Sequence, residues 1–223
     1  MAKHIFRQLA RLKEEILKVG LLAETAISDA ITALTNYDDA FAKKVMGMNA
    51  EIDRAAIDLT EECLQTLALY QPAASDLRLV VAVLKISSEL RRIAELAKNI
   101  AKRASYLARA SGGRIAIDFQ PMARQAQNML KSSLDALVRG DSGMAHQVRR
   151  DDDALDAMRR SIHNEIRAAI RQDPQQTESL LKLYAVAKHL ERIGDTATNI
   201  AADVIYMVEG VIVRHLREEE GPP

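Results

Sequence analysis

Apolar residues recur along this chain at alternating steps of three and four, and they do so over unusually long stretches. Between residues 79 and 100 the apolar positions are Leu79, Val83, Ile86, Leu90, Ile93, Ala97 and Ile100. Between 183 and 207 they are Leu183, Val186, Leu190, Ile193, Ala197, Ile200, Val204 and Met207. Such spacing puts one apolar stripe on one side of an α-helix. Breaks are sparse: Pro72 after TLALYQ, the pair Gly112-Gly113, Pro121, and Pro174 after RQD. The pattern predicts helices at 4–36, 39–70, 74–110, 119–139, 142–172 and 176–217. Asp38 and Asp141 follow breaks at Tyr37 and Gly140 and read as helix starts.

The pattern occurs twice. Ala33-Leu34, Asp38, Val45 and Asp53 recur as Ala136-Leu137, Asp141, Val148 and Asp156, always 103 residues later. The third and sixth helices match at a separation of 100: of the twelve positions Leu90–Ala101, seven are identical to Leu190–Ala201. A period of this size means two copies of one three-helix unit. A seam near 3.5-residue spacing packs as an antiparallel, left-handed bundle. The expected fold is therefore all-α, two three-helix bundles in tandem, spanning 1–111 and 112–223 and joined near SGGRIAID (111–118). The final RHLREEEGPP reads as a charged, fraying tail.

Composition agrees with the pattern. Aromatic residues are 4% of the chain, Trp is absent, and there are nine Gly and five Pro, which suits helices rather than sheets. Thirty-one basic residues balance thirty-one acidic ones, so the overall charge implies no attraction to nucleic acid. The lone Cys63 sits at helical spacing among apolar neighbours and reads as a core thiol, suited to a reducing cytoplasm. Charged residues from Lys3 to Glu15 interrupt any signal-peptide core, and apolar runs such as LVVAVL are too short to span a bilayer.

The polar faces carry the candidate chemistry. Glu191, Asp195 and Asn199 form a stripe of four-residue steps nearly opposite the Leu190–Ile193–Ala197 seam, directed away from the bundle's own core. In the fifth helix, DDDALD places Asp152 and Asp156 four apart, and an up-down bundle brings the fifth and sixth helices together. Four carboxylates around one point either raise their own pKa values or recruit hard cations such as iron, manganese, magnesium or calcium. A solvated charged face is the plainer reading of each pair alone. In the first copy the equivalent positions are Asn49, Asp53, Arg91 and Glu95, where Arg91 can neutralise Asp53 or Glu95 without any metal. The third helix is also basic: from Asp76 to Arg109 it carries eight Lys or Arg against three acids. Such a face suits phosphate, acidic lipid or an acidic protein patch.

Other site classes find little support. The five His show no HxxxH spacing and no ExxH occurs, which disfavours a ferritin-like di-iron oxidase. No phosphate-binding Gly-rich loop, GxSxG elbow or Cys-His pairing is present. His189 reads as a surface or packing residue, and Gly194 as a close helix contact or as room beside a ligand.

The strings QPAASDLRLVVAVLKISSELRRIAELAKNIAKRA (71–104) and LLKLYAVAKHLERIGDTATNIA (180–201) resemble the third-helix signatures of the PhoU family of phosphate-uptake regulators, and the layout resembles that family over the whole chain. The resemblance implies a non-enzymatic negative regulator, cytoplasmic or peripheral to the inner membrane face and homodimeric. It implies a link between the ATPase of a phosphate ABC transporter and a phosphate-sensing histidine kinase. It also implies bound metal ions, iron foremost, held by paired E(D)xxxD motifs. By position these are Asp152, Asp156, Glu191 and Asp195, with Asn199 beside them, in the second repeat; in the first only Asp53 and Glu95 match, while Asn49 and Arg91 depart. A carboxylate-cluster metalloenzyme and a metal-free helical interaction protein are the alternatives.

Overall fold

A computed structural model describes residues 2–110 and 115–213. Among them are six long helices and no strand: α1 (Ala2–Asn36), α2 (Asp39–Tyr70), α3 (Ala74–Arg109), α4 (Gln120–Arg139), α5 (Ser142–Gln172) and α6 (Thr177–Glu209), with one 3₁₀ turn at Pro174–Gln176. Two three-helix bundles result, α1–α2–α3 and α4–α5–α6, and they meet through α3 against α6 and α1 against α4. The predicted all-α double bundle is therefore the observed architecture. The predicted joint at SGGRIAID falls partly, and the charged tail wholly, outside the described residues.

The two repeats turn their first corner with the same device. Tyr37 and Gly140 are equivalent positions, and both lie in the left-handed region, at φ 56° and 65°. The next N–H groups bond back over the corner, Asp38 to the Ala33 carbonyl and Asp141 to the Ala136 carbonyl, each at 3.0 Å. Asp38 and Asp141 then cap the following helices, accepting from the Phe41 and Met144 N–H groups at 2.8 and 2.9 Å. A left-handed tyrosine is costly where glycine is not. Tyr37 is held there by its hydroxyl, which accepts from the Ile115 N–H at 2.8 Å and so ties the connecting segment to the first bundle.

Every residue of the two predicted seams is buried, and the buried side chains of both bundles form one continuous cluster. Cys63 lies in it, fully buried, its thiol pushed up to about 12 by burial. The sixth helix is shorter than its apolar pattern suggests. It stops at Glu209, with Gly210 at φ 76° and its N–H bonded to the Tyr206 carbonyl. Val211, Ile212 and Val213 prolong the apolar run, but a left-handed glycine followed by three β-branched residues ends a helix; residues 214–217 lie outside the described part. No helix among the described residues is long and apolar enough to cross a membrane.

Candidate functional site: carboxylates between α5 and α6

The duplicated helices differ where α5 meets α6. Gly194 is buried at this contact, and a Cβ there would stand 2.1 Å from Leu155 Cδ2 and 3.4 Å from Asp152 Oδ1. The missing side chain lets α5 approach closely. That approach carries Asp152 in against the α6 backbone, so the glycine serves the helix contact and the carboxylate together. In the first repeat Ala94 fills the equivalent position and is itself buried.

Asp152, Asp156, Glu191 and Asp195 are close enough to perturb one another. Asp152 is half-buried, and its pKa is pushed up to about 6, first by burial and then by Asp195, Asp156, Asp153 and Glu191. Burial also raises Glu191 against the opposing pull of Arg159. Asp195 rises through burial and Asp156, opposed by Arg92, Arg192 and Arg159. The helical wheel had aimed Glu191 and Asp195 away from the core. Glu191 instead lies partly covered, its side chain 23% exposed. α6 packs against both α5 and α3, and Arg159 of α5 lies on Glu191. Asp195 keeps one edge open to solvent while its carboxyl is partly covered, and Asn199, one turn further on, is partly buried.

One residue of this site was not anticipated. Arg159 forms an ion pair with Glu191 at 2.8 Å, and Arg160 lies 3.8 Å from Asp156. Arg159 is a single arginine among many on an amphipathic helix, and only its position one turn beyond Asp156 hints at this role. The donor set is all oxygen, and one member resists ionisation; this chemistry fits a hard cation. Among the described residues, however, no three His, Cys, Asp or Glu side chains converge at ligand geometry. Glu191 is engaged by Arg159, so binding a cation there requires that guanidinium to be exchanged for the metal.

In the first repeat the protein's own side chains neutralise the acids. Arg91 pairs with Asp53 at 3.0 Å, as its charge suggested, and the Asn49 amide donates to the other Asp53 oxygen at 3.1 Å. Glu95 lies 3.0 Å from Lys98 and 4.0 Å from Lys102. Asp53 and Glu95 thus stand apart with separate cationic partners, an arrangement with less need of a metal ion than the second repeat.

Elsewhere, a buried carboxylate also escaped the sequence reading. Asp203, 2% exposed on α6, is paired with Lys85 of α3 across the junction of the two bundles. An aspartate inside the apolar string AADVIYM was its only signal.

The comparisons with known proteins follow the same division into repeats. The family model described as the PhoU domain matches twice, over residues 16–104 and 119–204. The "Phosphate-specific transport system accessory protein PhoU homolog" of Pseudomonas putida is 34% identical over 221 residues, covering 97% of this chain and 86% of that protein. The crystal structure of PhoU from Pseudomonas aeruginosa superposes with a TM-score of 0.85 at 33% identity, covering 92% of this chain and 99% of that one. That of the phosphate transport system regulatory protein PhoU from Streptococcus pneumoniae gives 0.86 at 24% identity, a likeness of fold, over 94% and 99%. With both helix triplets matched and a third of the residues shared along nearly its whole length, the chain belongs to the PhoU domain family.

Proposed function

We propose that this chain is an accessory regulator of phosphate transport, acting as a non-enzymatic scaffold that represses phosphate uptake and phosphate-starvation signalling when phosphate is plentiful. In this reading it works in the cytoplasm at the inner membrane face, as a homodimer, between the ATPase of a phosphate ABC transporter and a phosphate-sensing histidine kinase. The observation that carries the reading is similarity, over 97% of the chain, to a relative named as a phosphate-specific transport system accessory protein. Surfaces made of long, rigid helices on a continuous core suit a scaffold.

The second repeat supplies a cation site to that scaffold, formed by Asp152, Asp156, Glu191 and Asp195 with Asn199 adjacent. A bound hard cation, iron foremost, would supply positive charge that relieves the crowding around Asp152 and clamps α5 to α6. The chain's own part is to hold Asp152 against α6 through the Gly194–Leu155 contact and to keep Glu191 paired with Arg159 until exchange.

Two experiments test the two levels separately. Deleting the gene should leave phosphate-starvation genes switched on in high phosphate, and normal repression in the deletion strain overturns the regulatory reading. Metal analysis of purified protein should show metal in the wild type and a clear loss in Asp195→Ala and Glu191→Ala. Equal metal content in all three overturns the site assignment and leaves the regulatory reading standing.

A further inference from the structure

α3 and α6 cross at the junction of the bundles, and on one side of that crossing the groove is basic. Lys102, Arg103 and Arg109 of α3 and Lys182 of α6 line a cleft of about 310 Å³, walled otherwise, among the described residues, by Met46, Ser105 and Tyr106. Tyr106 props Lys182, whose ammonium lies 4.8 Å from the ring centroid.

The duplication shows that this charge is not required by the fold. One hundred residues on, the counterparts of Lys102, Arg103 and Arg109 are Ala202, Asp203 and Glu209, and the counterpart of Lys182 is Ala82. The related cleft on the other side of the crossing neutralises itself, since its Lys85 pairs with Asp203. Arg103 stands where Asp203 stands, and the counterpart of Lys85 is Ala185, so the charge pair of the other cleft has no equivalent at Arg103.

The local bonding agrees. Lys102, Arg109 and Lys182 have acids at 4.0, 3.7 and 4.0 Å, namely Glu95, Asp39 and Glu178, of which Asp39 accepts from Ser105 and Glu178 from Tyr106. Arg103 has no ion pair among the described residues, and its Nε is buried with no hydrogen-bond partner. Arg103 also borders a second cleft with Lys188 and Arg192, a neutral His189 whose pKa is lowered to about 4 by burial and by Arg103 and Arg192, and the acids Glu191 and Asp195, the former engaged by Arg159.

We propose that the groove at Arg103 binds a phosphate-type oxyanion, with the planar guanidinium as its principal donor and Lys102, Arg109 and Lys182 as surrounding charge. The planar fork of arginine matches two oxygens of such an anion, and the lysines add undirected attraction. Free inorganic phosphate and the phosphate of a lipid headgroup share this chemistry.

The test uses the full-length protein and the variants Arg103→Gln and Lys182→Gln, with Arg54→Gln, an exposed cation on α2, as charge control. One arm titrates inorganic phosphate calorimetrically. The other measures sedimentation with phosphatidic acid vesicles against phosphatidylcholine vesicles. Saturable phosphate binding, weakened about tenfold or more by Arg103→Gln and less by Lys182→Gln, and unchanged in Arg54→Gln, establishes the site for the free anion. Vesicle retention with the same mutational pattern and no binding of free phosphate establishes it for the headgroup. No binding in either arm, or binding indifferent to Arg103→Gln, overturns the proposal. Thermal unfolding of each variant shows that the fold is intact. Because binding is read on the purified protein, its failure leaves the regulatory reading untouched.

Discussion

Replacing Asp152 by Asn should make the metal-free protein more stable at neutral pH. The Asp152 carboxyl is pushed up to about 6, by burial before all else, from an ordinary value of 3.8. A folded-state pKa above the unfolded one means that the fold prefers the protonated acid. Its favourable contribution is complete below about pH 4, fades as pH rises through 6, and is gone at pH 7.5, where the half-buried anion is a burden. A shift of about two units corresponds to about 3 kcal/mol. Partial exposure and the neighbouring arginines reduce the recoverable part to about 1–2 kcal/mol. In a chain of this size that raises the unfolding midpoint by roughly 2–8 °C. Asparagine keeps the shape and the hydrogen-bonding capacity and removes only the charge. Thermal unfolding followed by circular dichroism, with chelator present, should show the gain at pH 7.5 and its disappearance at pH 4. A variant no more stable than wild type at pH 7.5, or equally stabilised at pH 4, refutes the reasoning that the fold disfavours the charged form of Asp152.

Gly194→Ala places a Cβ 2.1 Å from Leu155 Cδ2; overpacking of about 1–3 kcal/mol outweighs the helix-propensity gain of about 1 kcal/mol, and denaturant titration should show a net loss. Lys85→Met removes an ion-pair partner of the buried Asp203, and a loss of about 3 kcal/mol is expected, much of it restored in the double variant Lys85→Met/Asp203→Leu; a loss under 0.5 kcal/mol, small even for a surface substitution, contradicts this. Asn49→Asp with Arg91→Glu rewrites the first repeat in the charges of the second, which removes the Arg91–Asp53 pair. That exposed pair is worth about 0–1 kcal/mol, so the variant should stay folded and gain cation binding, measured by calorimetry with a divalent metal against wild type.

The repeat, the helix starts at Asp38 and Asp141 and the buried seams were legible because each depends on residues within a few turns of one another. The same is true of the DxxxD and ExxxD pairs and of the Arg91 substitution, since four-residue spacing along a helix places side chains on one face whatever surrounds it. What covers that face is another matter. A wheel drawn for one bundle sends Glu191 outward, but the first bundle and α5 both pack on α6, and Glu191 is partly buried beside Arg159. Lys85 meets Asp203 over 118 residues, and Arg103 lacks any such partner among the described residues, although both belong to the same basic helix. The sequence by itself determined which residues form helices, which stripe of each is apolar, and that the unit is repeated. Only the tertiary structure decided which charges meet, which are buried and which are left over, because these depend on how close two helices approach and at what point they cross, and no period along one helix encodes that distance.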